Sequence, residues 1–315
     1  MVSRRHEYMS NVWRDGLFGE EGRVVFCTGG AGTICSAQVR ALVYLGANAC
    51  IVGRSVEKTQ KIAKDLAGVR NGAKVLGIGA VDVRDIQSLE KAAQQCAEEL
   101  GGIDYVIAGA AGNFLAPIHN LSTNAFKSVL DIDVLGSYNT AKATLPYLIA
   151  SASKNREQNG TEPFGAGGRI IFVSATMHYI GTPLQSHVCA AKAAVDALAH
   201  SVCIEQGPLG LTSNVISPGP IADTEGTSRL FSENKQATAN QIPSGRLGTV
   251  RDIADATIYL FSEAGSYVNG EILVVDGGGW HTNFQPAGES VAYPDFFLSS
   301  EKRITGVKDG RRSRL

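Results

Sequence analysis

Three glycines crowd the stretch Thr28-Gly29-Gly30-Ala31-Gly32-Thr33-Ile34-Cys35, directly after the apolar run Arg23-Val24-Val25-Phe26-Cys27. Glycines let a backbone turn tightly and approach a pyrophosphate, and a helix that starts just beyond such a turn offers unpaired N–H groups and the positive end of its dipole. A second apolar run ends in Val52-Gly53-Arg54-Ser55. An arginine there can pair with a ribose 2′-phosphate, where an acid would repel it, so Arg54 with Ser55 favours NADP(H) over NAD(H). The bland alternatives are a ligand-free strand-to-helix turn and a solvated arginine that opens a helix.

Positioning these groups requires strands that deliver them to one edge. Seven short runs read as strands: Arg23–Cys27, Ala49–Val52, Lys74–Ile78, Ile103–Ile107, Arg169–Val173, Thr212–Ile216 and Ile272–Val275. The stretches between them carry apolar residues at helical spacing, as Ile62, Leu66 and Val69 do. Strands apolar on both faces and separated by helices imply a parallel sheet covered on both sides. Crossover handedness then gives a Rossmann-type doubly wound α/β fold in a single domain. Ser151 to Gly168 is polar and glycine-rich and reads as a surface insertion before the fifth strand; from about His281 onward all periodicity is lost. The expected organisation is an N-terminal extension over 1–21, a nucleotide-binding reductase domain over 22–283 and a C-terminal extension over 284–315.

Composition narrows the function. With 29 Lys plus Arg, 30 Asp plus Glu and a net charge of -1, no global basic field for nucleic acid exists. No stretch approaches the ~18 uninterrupted apolar residues of a membrane span. Met1 to Glu7 lacks an apolar core, so no secretory signal is expected. The six cysteines, Cys27, Cys35, Cys50, Cys96, Cys189 and Cys203, form no C-x-x-C pair and read as small buried hydrophobes; no cluster of metal ligands is present.

On these residues the sequence resembles the short-chain dehydrogenase/reductase family. That family has T-G-x-x-x-G-x-G at the first turn; this chain keeps Thr28 and Gly29 but puts Thr33 and Cys35 where the later glycines usually stand, with Gly30 and Gly32 to supply flexibility. The resemblance implies cofactor contacts from Thr28, Gly29, Gly30, Gly32, Thr33, Ile34, Arg54, Ser55, Asp82, Val83, Ala110, Lys192, Pro218, Gly219 and Ile221, with Asp82 near the adenine amine and Pro218-Gly219 flanking the nicotinamide. Ser174 and Lys192 match two members of the family's Ser-Tyr-Lys set, but the position four before the lysine is Val188, which cannot transfer a proton. Asp133 stands for the usual asparagine of N-x-x-G, and Ala108 and Gly109 replace the usual asparagine pair after the fourth strand.

This combination, with Ala110-Ala111-Gly112-Asn113-Phe114-Leu115, Ser174-Ala175-Thr176, Gly207-Pro208-Leu209-Gly210 and Thr224-Glu225-Gly226, resembles the 2,4-dienoyl-CoA reductases of the peroxisomal type. The resemblance implies NADPH-dependent reduction of a 2,4-dienoyl-CoA to a 3-enoyl-CoA in the β-oxidation of unsaturated fatty acids. Hydride then adds at the far end of a conjugated thioester, so the site must stabilise a thioester oxyanion and protonate carbon. It implies Asp133, Lys192 and Ser174 as the catalytic set, the first two holding a water, and Arg54, Asn113, Phe114, Ser174 and Tyr179 as substrate contacts. Tyr179 is the fallback proton donor; His178 and His187 read as pocket wall or surface residues. A 3-oxoacyl or other carbonyl reductase, and a non-catalytic NADP-binding regulator, stay open beside this reading. The chain ends Ser313-Arg314-Leu315, a variant of the S-K-L address, after Arg311 and Arg312, so a peroxisomal import receptor and peroxisomal location are expected. The resemblance also implies a homo-oligomer, tetramer or dimer.

Overall fold

The computed structural model describes residues 22–159, 168–224 and 235–282. Within them β1 (Val24–Thr28), β2 (Asn48–Val52), β3 (Val75–Ile78), β4 (Tyr105–Ala108), β5 (Arg169–Val173), β6 (Thr212–Pro218) and β7 (Ile272–Val275) form one sheet in the order β3-β2-β1-β4-β5-β6-β7. Every pairing is parallel. All seven strands expected from the apolar runs are present; β5 and β7 keep the expected bounds and the other five have shifted ends. β4 begins at Tyr105 rather than Ile103; the preceding Asp104 accepts the Val24 N–H on its carboxylate at 2.8 Å.

Parallel strands buried on both faces alternate between two cores. On one face, Phe26, Val52, Val106 and Phe172 pack under α3 (Ile86–Leu100), α5 (Gly136–Asn159) and α7 (Ser186–Gln206). On the other, Cys27, Ile51, Ile107 and Ile171 pack under α1 (Thr33–Tyr44), α2 (Val56–Ala67) and α9 (Val250–Phe261). The short helices α4 (Thr123–Leu130), α6 (Met177–Ile180) and α8 (Lys235–Asn240) complete the set. Burying each such Val, Ile or Phe side chain is worth about 1.5–3 kcal/mol. By length and composition Ser186–Leu209 is apolar enough to cross a membrane, yet its Val188, Ala191, Val195 and Ala199 are buried against the sheet and neighbouring helices.

One expectation is corrected. Ser151 to Gly168 is not an insertion from its first residue: α5 continues to Asn159. Ser151 donates its hydroxyl to Asp104 Oδ1 at 2.5 Å and Ala152 is buried in the core, so tertiary anchoring overrides the polar composition. The extensions over 1–21 and 284–315, residues 225–230 of the motif after Ile221, and the terminal tripeptide lie outside the described residues.

Candidate active site

The sheet order reverses between β1 and β4, and the crevice at the carboxyl ends of such strands is where doubly wound folds bind ligands. The expected cofactor residues gather at that edge: Thr28 to Ile34 after β1, Arg54 and Ser55 after β2, Asp82 and Val83 after β3, Ala110 after β4, and Pro218 to Ile221 at the end of β6. Gly29 has φ +66°, and a Cβ on it would come within 2.9 Å of the Ala110 Cα. A Cβ on Gly30 would lie 2.6 Å from the Ile51 side chain. Thr28 Oγ1 accepts the Gly109 N–H at 3.2 Å and ties this turn to the end of β4.

The first turn of α1 fits a phosphate. Its N-cap is Gly32, with no side chain to accept the first amides, whereas Ser55, Asp85, Ser122 and Thr249 cap α2, α3, α4 and α9 with their side chains. No acidic residue stands in that first turn. Arg54 is exposed at the same edge. Ser55 accepts the Lys58 N–H at 3.3 Å and fixes the start of α2 just beyond Arg54. Asp82 also has a partner within the chain. Arg84 Nε donates to Asp82 Oδ1 at 3.0 Å and Nη2 to Oδ2 at 2.5 Å, and the Arg84 guanidinium beside it lowers the carboxyl to about 2. Sequence reading did not single out Arg84; the acid-x-basic spacing of Asp82 and Arg84 was its only local signal.

Asp133 lies in a single π-helical turn, Asp131–Leu135, between α4 and α5. Such turns occur often at functional sites because the extra residue re-aims a side chain. The Asp133 side chain is 0% exposed and Oδ1 accepts the Gly112 N–H at 2.7 Å. Lys192 Nζ stands 3.0 Å from Asp133 Oδ2 and donates to the Val173 carbonyl at 3.0 Å. Its contact with Oδ2 is an ion pair, and among the described residues no donor makes a well-aimed hydrogen bond to that oxygen. Ser174 is buried at the end of β5 and its hydroxyl turns 3.5 Å from the Lys192 carbonyl. Val188 is 2% exposed and packs with Val129, Ala191, Phe114 and Met177, so the place four before the lysine is an apolar wall.

Asn113 Oδ1 accepts a hydrogen bond from Gln185 Nε2 at 2.9 Å. Phe114 stacks on His187, with ring centroids 4.2 Å apart, and its carbonyl accepts from His187 Nε2 at 3.0 Å. Tyr179 donates to Ser217 Oγ at 3.2 Å, and burial above all raises its hydroxyl above the usual tyrosine value, which weakens it as an acid. His178 is more than pocket wall: Nδ1 lies 2.7 Å from the Ala175 carbonyl and Nε2 2.8 Å from Asp196 Oδ2, so both ring nitrogens face acceptors. Neither the Asp196 pairing nor Gln185 carried a signal in the sequence beyond their positions on the lysine's helix.

The geometry thus joins a nucleotide-type cradle to a buried acid–base pair. A family model described as Enoyl-(Acyl carrier protein) reductase matches residues 29–280. The chain is 50% identical to the (3E)-enoyl-CoA-producing peroxisomal 2,4-dienoyl-CoA reductase of Saccharomyces cerevisiae, over 91% of this chain and 93% of that one. It is 37% identical to the corresponding enzyme of Danio rerio, over 93% and 88%. Among solved structures, a short-chain type dehydrogenase/reductase from Mycobacterium marinum superposes with TM-score 0.72 at 30% identity, covering 84% of this chain and 97% of that one. A gluconate 5-dehydrogenase from Burkholderia cenocepacia, in complex with NADP and tartrate, does so with TM-score 0.73 at 25% identity, over 82% and 96%. The chain belongs to the short-chain dehydrogenase/reductase family, whose members bind NAD(P), and is similar over nearly its whole length to the branch named peroxisomal 2,4-dienoyl-CoA reductases.

Proposed function

We propose that this chain is an NADPH-dependent 2,4-dienoyl-CoA reductase that yields a 3-enoyl-CoA in the β-oxidation of unsaturated fatty acids. The observation that carries it is the sealed Asp133–Lys192 pair at 3.0 Å beside an apolar Val188. A carbonyl reductase needs an acid at the carbonyl oxygen, and a valine cannot be one. A dienoyl thioester needs a proton on carbon, and the relatives named for that reaction cover the whole folded body.

NADPH supplies the hydride when bound. The Gly29–Gly32 turn and the uncapped start of α1 receive its pyrophosphate, and exposed Arg54 with Ser55 reads the 2′-phosphate. Asp82 and Val83 border the adenine, while Ala110, Pro218, Gly219, Ile221 and Lys192 border the nicotinamide half. Asn113 donates its amide to the thioester oxygen, where negative charge develops, and Phe114 and Tyr179 flank the acyl chain. Asp133 Oδ2, the oxygen without an aimed donor, and Lys192 Nζ would together hold the water that passes a proton to carbon, the pair itself staying carboxylate and ammonium. Ser174 braces the carbonyl of Lys192 and so keeps the lysine's turn of helix against β5.

The names of the relatives and the Ser313-Arg314-Leu315 ending support a peroxisomal location through an import receptor. The largely apolar groove of Leu130, Asp131, Val134, Leu135, Tyr138 and Leu198 supports a homo-oligomer, tetramer or dimer. The deciding assay is nicotinamide absorbance with a 2,4-dienoyl-CoA against a 3-oxoacyl-CoA control. Dienoyl-dependent NADPH oxidation with a 3-enoyl product is expected; oxidation with the 3-oxoacyl-CoA alone overturns the reading. An N-terminally tagged chain should lose its peroxisomal signal when its last three residues are removed.

A further inference from the structure

Gln185 is fully buried at the N-cap of α7, seven residues before Lys192 and so about two turns away on the same face. It belongs to a latch between the loop after β4 and the start of α7. Ala116 N donates to the Leu184 carbonyl at 2.9 Å, His187 Nε2 to the Phe114 carbonyl at 3.0 Å, and Gln185 Nε2 to Asn113 Oδ1 at 2.9 Å. Leu184 is held at φ +65°, a left-handed conformation that side chains other than glycine rarely adopt. The latch thus places the side-chain amides of Gln185 and Asn113 tip to tip.

We infer that Gln185 is a positioning residue that sets the polarity of the Asn113 amide: by donating to Asn113 Oδ1 it turns Nδ2, the donor end, away from itself and towards the acyl thioester. The inference rests on the dienoyl-CoA reading above. An amide can be flipped end for end without changing its shape, so something must choose. Here the choice is made by burial. With Nε2 on Asn113, Gln185 leaves one acceptor, Oε1, unpaired among the described residues. The reverse arrangement would strand two N–H donors in the same dry place, and buried orphan donors are rarer than orphan acceptors. Asn113 is therefore presented with its donor end forward, the end a developing thioester oxyanion requires.

Two substitutions of similar volume separate polarity from packing. Gln185→Glu is acceptor-only when ionised and accepts from Asn113 Nδ2, which turns the oxygen end forward. Gln185→Met fills the space and makes no hydrogen bond. Steady-state kinetics with a 2,4-dienoyl-CoA at saturating NADPH should show kcat down about 100-fold in Gln185→Glu, the loss of one oxyanion donor. Gln185→Met should fall by less than about ten-fold, the loss of one ordinary hydrogen bond. NADPH affinity, read by fluorescence titration, should stay unchanged in both, which also reports that each variant is folded. In an Asn113→Leu background the difference between the two variants should vanish. A Gln185→Glu no slower than Gln185→Met, or a glutamate penalty that persists without Asn113, overturns the inference. If the glutamate variant does not bind NADPH, Gln185→Met decides alone: its loss must disappear in the Asn113→Leu background, and a loss that remains overturns the inference. A wild-type enzyme without dienoyl-dependent NADPH oxidation is a separate result, which overturns the proposed reaction itself.

Discussion

Removing the lysine of the buried pair should destabilise the protein, and removing the aspartate as well should restore much of the loss. The Asp133 side chain is 0% exposed and Lys192 is 8% exposed, with 3.0 Å between their charges. In Lys192→Met the carboxylate keeps the Gly112 N–H on Oδ1 but loses the ammonium beside Oδ2. Stripping one partner from a buried pair costs about 3–5 kcal/mol, because the other charge stays behind without solvent. Adding Asp133→Asn removes that stranded charge and retains an oxygen for the Gly112 N–H. Since neutral replacements of whole buried pairs are often harmless, the double variant should regain about 2–4 kcal/mol. At roughly 2–4 °C per kcal/mol for a body of this size, Tm should rise by about 5–15 °C from Lys192→Met to the double. Thermal melts at equal protomer concentration, without nucleotide, read this directly. Activity must not follow stability. Each single variant should lose about 10²–10⁴ in kcat, and the double should be little worse than the worse single, because the two act as a unit. A double variant that melts no higher than Lys192→Met would refute the claim that the pair is sealed and charged.

Arg54→Ala should weaken NADPH binding by about 1.5–3 kcal/mol and leave NADH nearly unchanged, as for one charged hydrogen bond; equal losses for both cofactors, read by titration, would remove Arg54 from the 2′-phosphate. Val188→Tyr inserts a ring into a packed apolar cluster, so it should destabilise by about 1–3 kcal/mol and give no gain in dienoyl reduction; faster turnover would contradict the apolar-wall account. Asp82 is held at about 2 by Arg84, below the ordinary carboxylate value near about 3.9, so the stability from this pairing is fully present above about pH 4 and lost as pH falls through about 2. In Arg84→Met the Asp82 carboxyl resonance should titrate nearer that ordinary value, and an unmoved midpoint would show that Arg84 is not the cause.

The sheet was legible because its strands are buried on both faces and their apolar runs stand out against helical spacing. Strand ends were less so: Asp104, just before β4, still bonds Val24 and Arg169 through its backbone while its carboxylate also accepts the Val24 N–H 80 residues away. The end of α5 was misread for a related reason: a polar stretch is held helical by Ser151 on Asp104 and by Ala152 in the core. Val188 could be read as the missing acid from its spacing to Lys192 alone. The π-helical turn that aims Asp133 could not, because no residue type marks the extra residue. The partners that tune the site, Arg84 for Asp82, Asp196 for His178 and Gln185 for Asn113, depend on side-chain direction rather than on a motif.

The unusual first turn shows the limit most clearly and can be tested. Cys35 stands where the family keeps a glycine, and Gly109, 74 residues away, stands where it keeps a side chain. A Cβ built on Gly109 would lie 2.3 Å from Cys35 Sγ, so the thiol fills the space that a side chain at 109 would take. The two departures compensate each other, and neither is intelligible alone. Gly109→Ala should therefore overpack the junction of β1, α1 and β4 and cost about 1–3 kcal/mol. Cys35→Gly by itself opens a small gap and frees the first turn of α1, at about 1 kcal/mol. Combined, the added methyl meets the vacated thiol site, and the double should be more stable than Gly109→Ala by at least about 1 kcal/mol, a coupling expected of residues in contact. On the proposed reading NADPH affinity should follow the same order, because Cys35 lies just beyond the glycine turn proposed for the pyrophosphate and Gly109 borders Gly29 of that turn. A double variant no more stable than Gly109→Ala, measured by denaturant midpoint at constant slope, would mean that the two departures are independent.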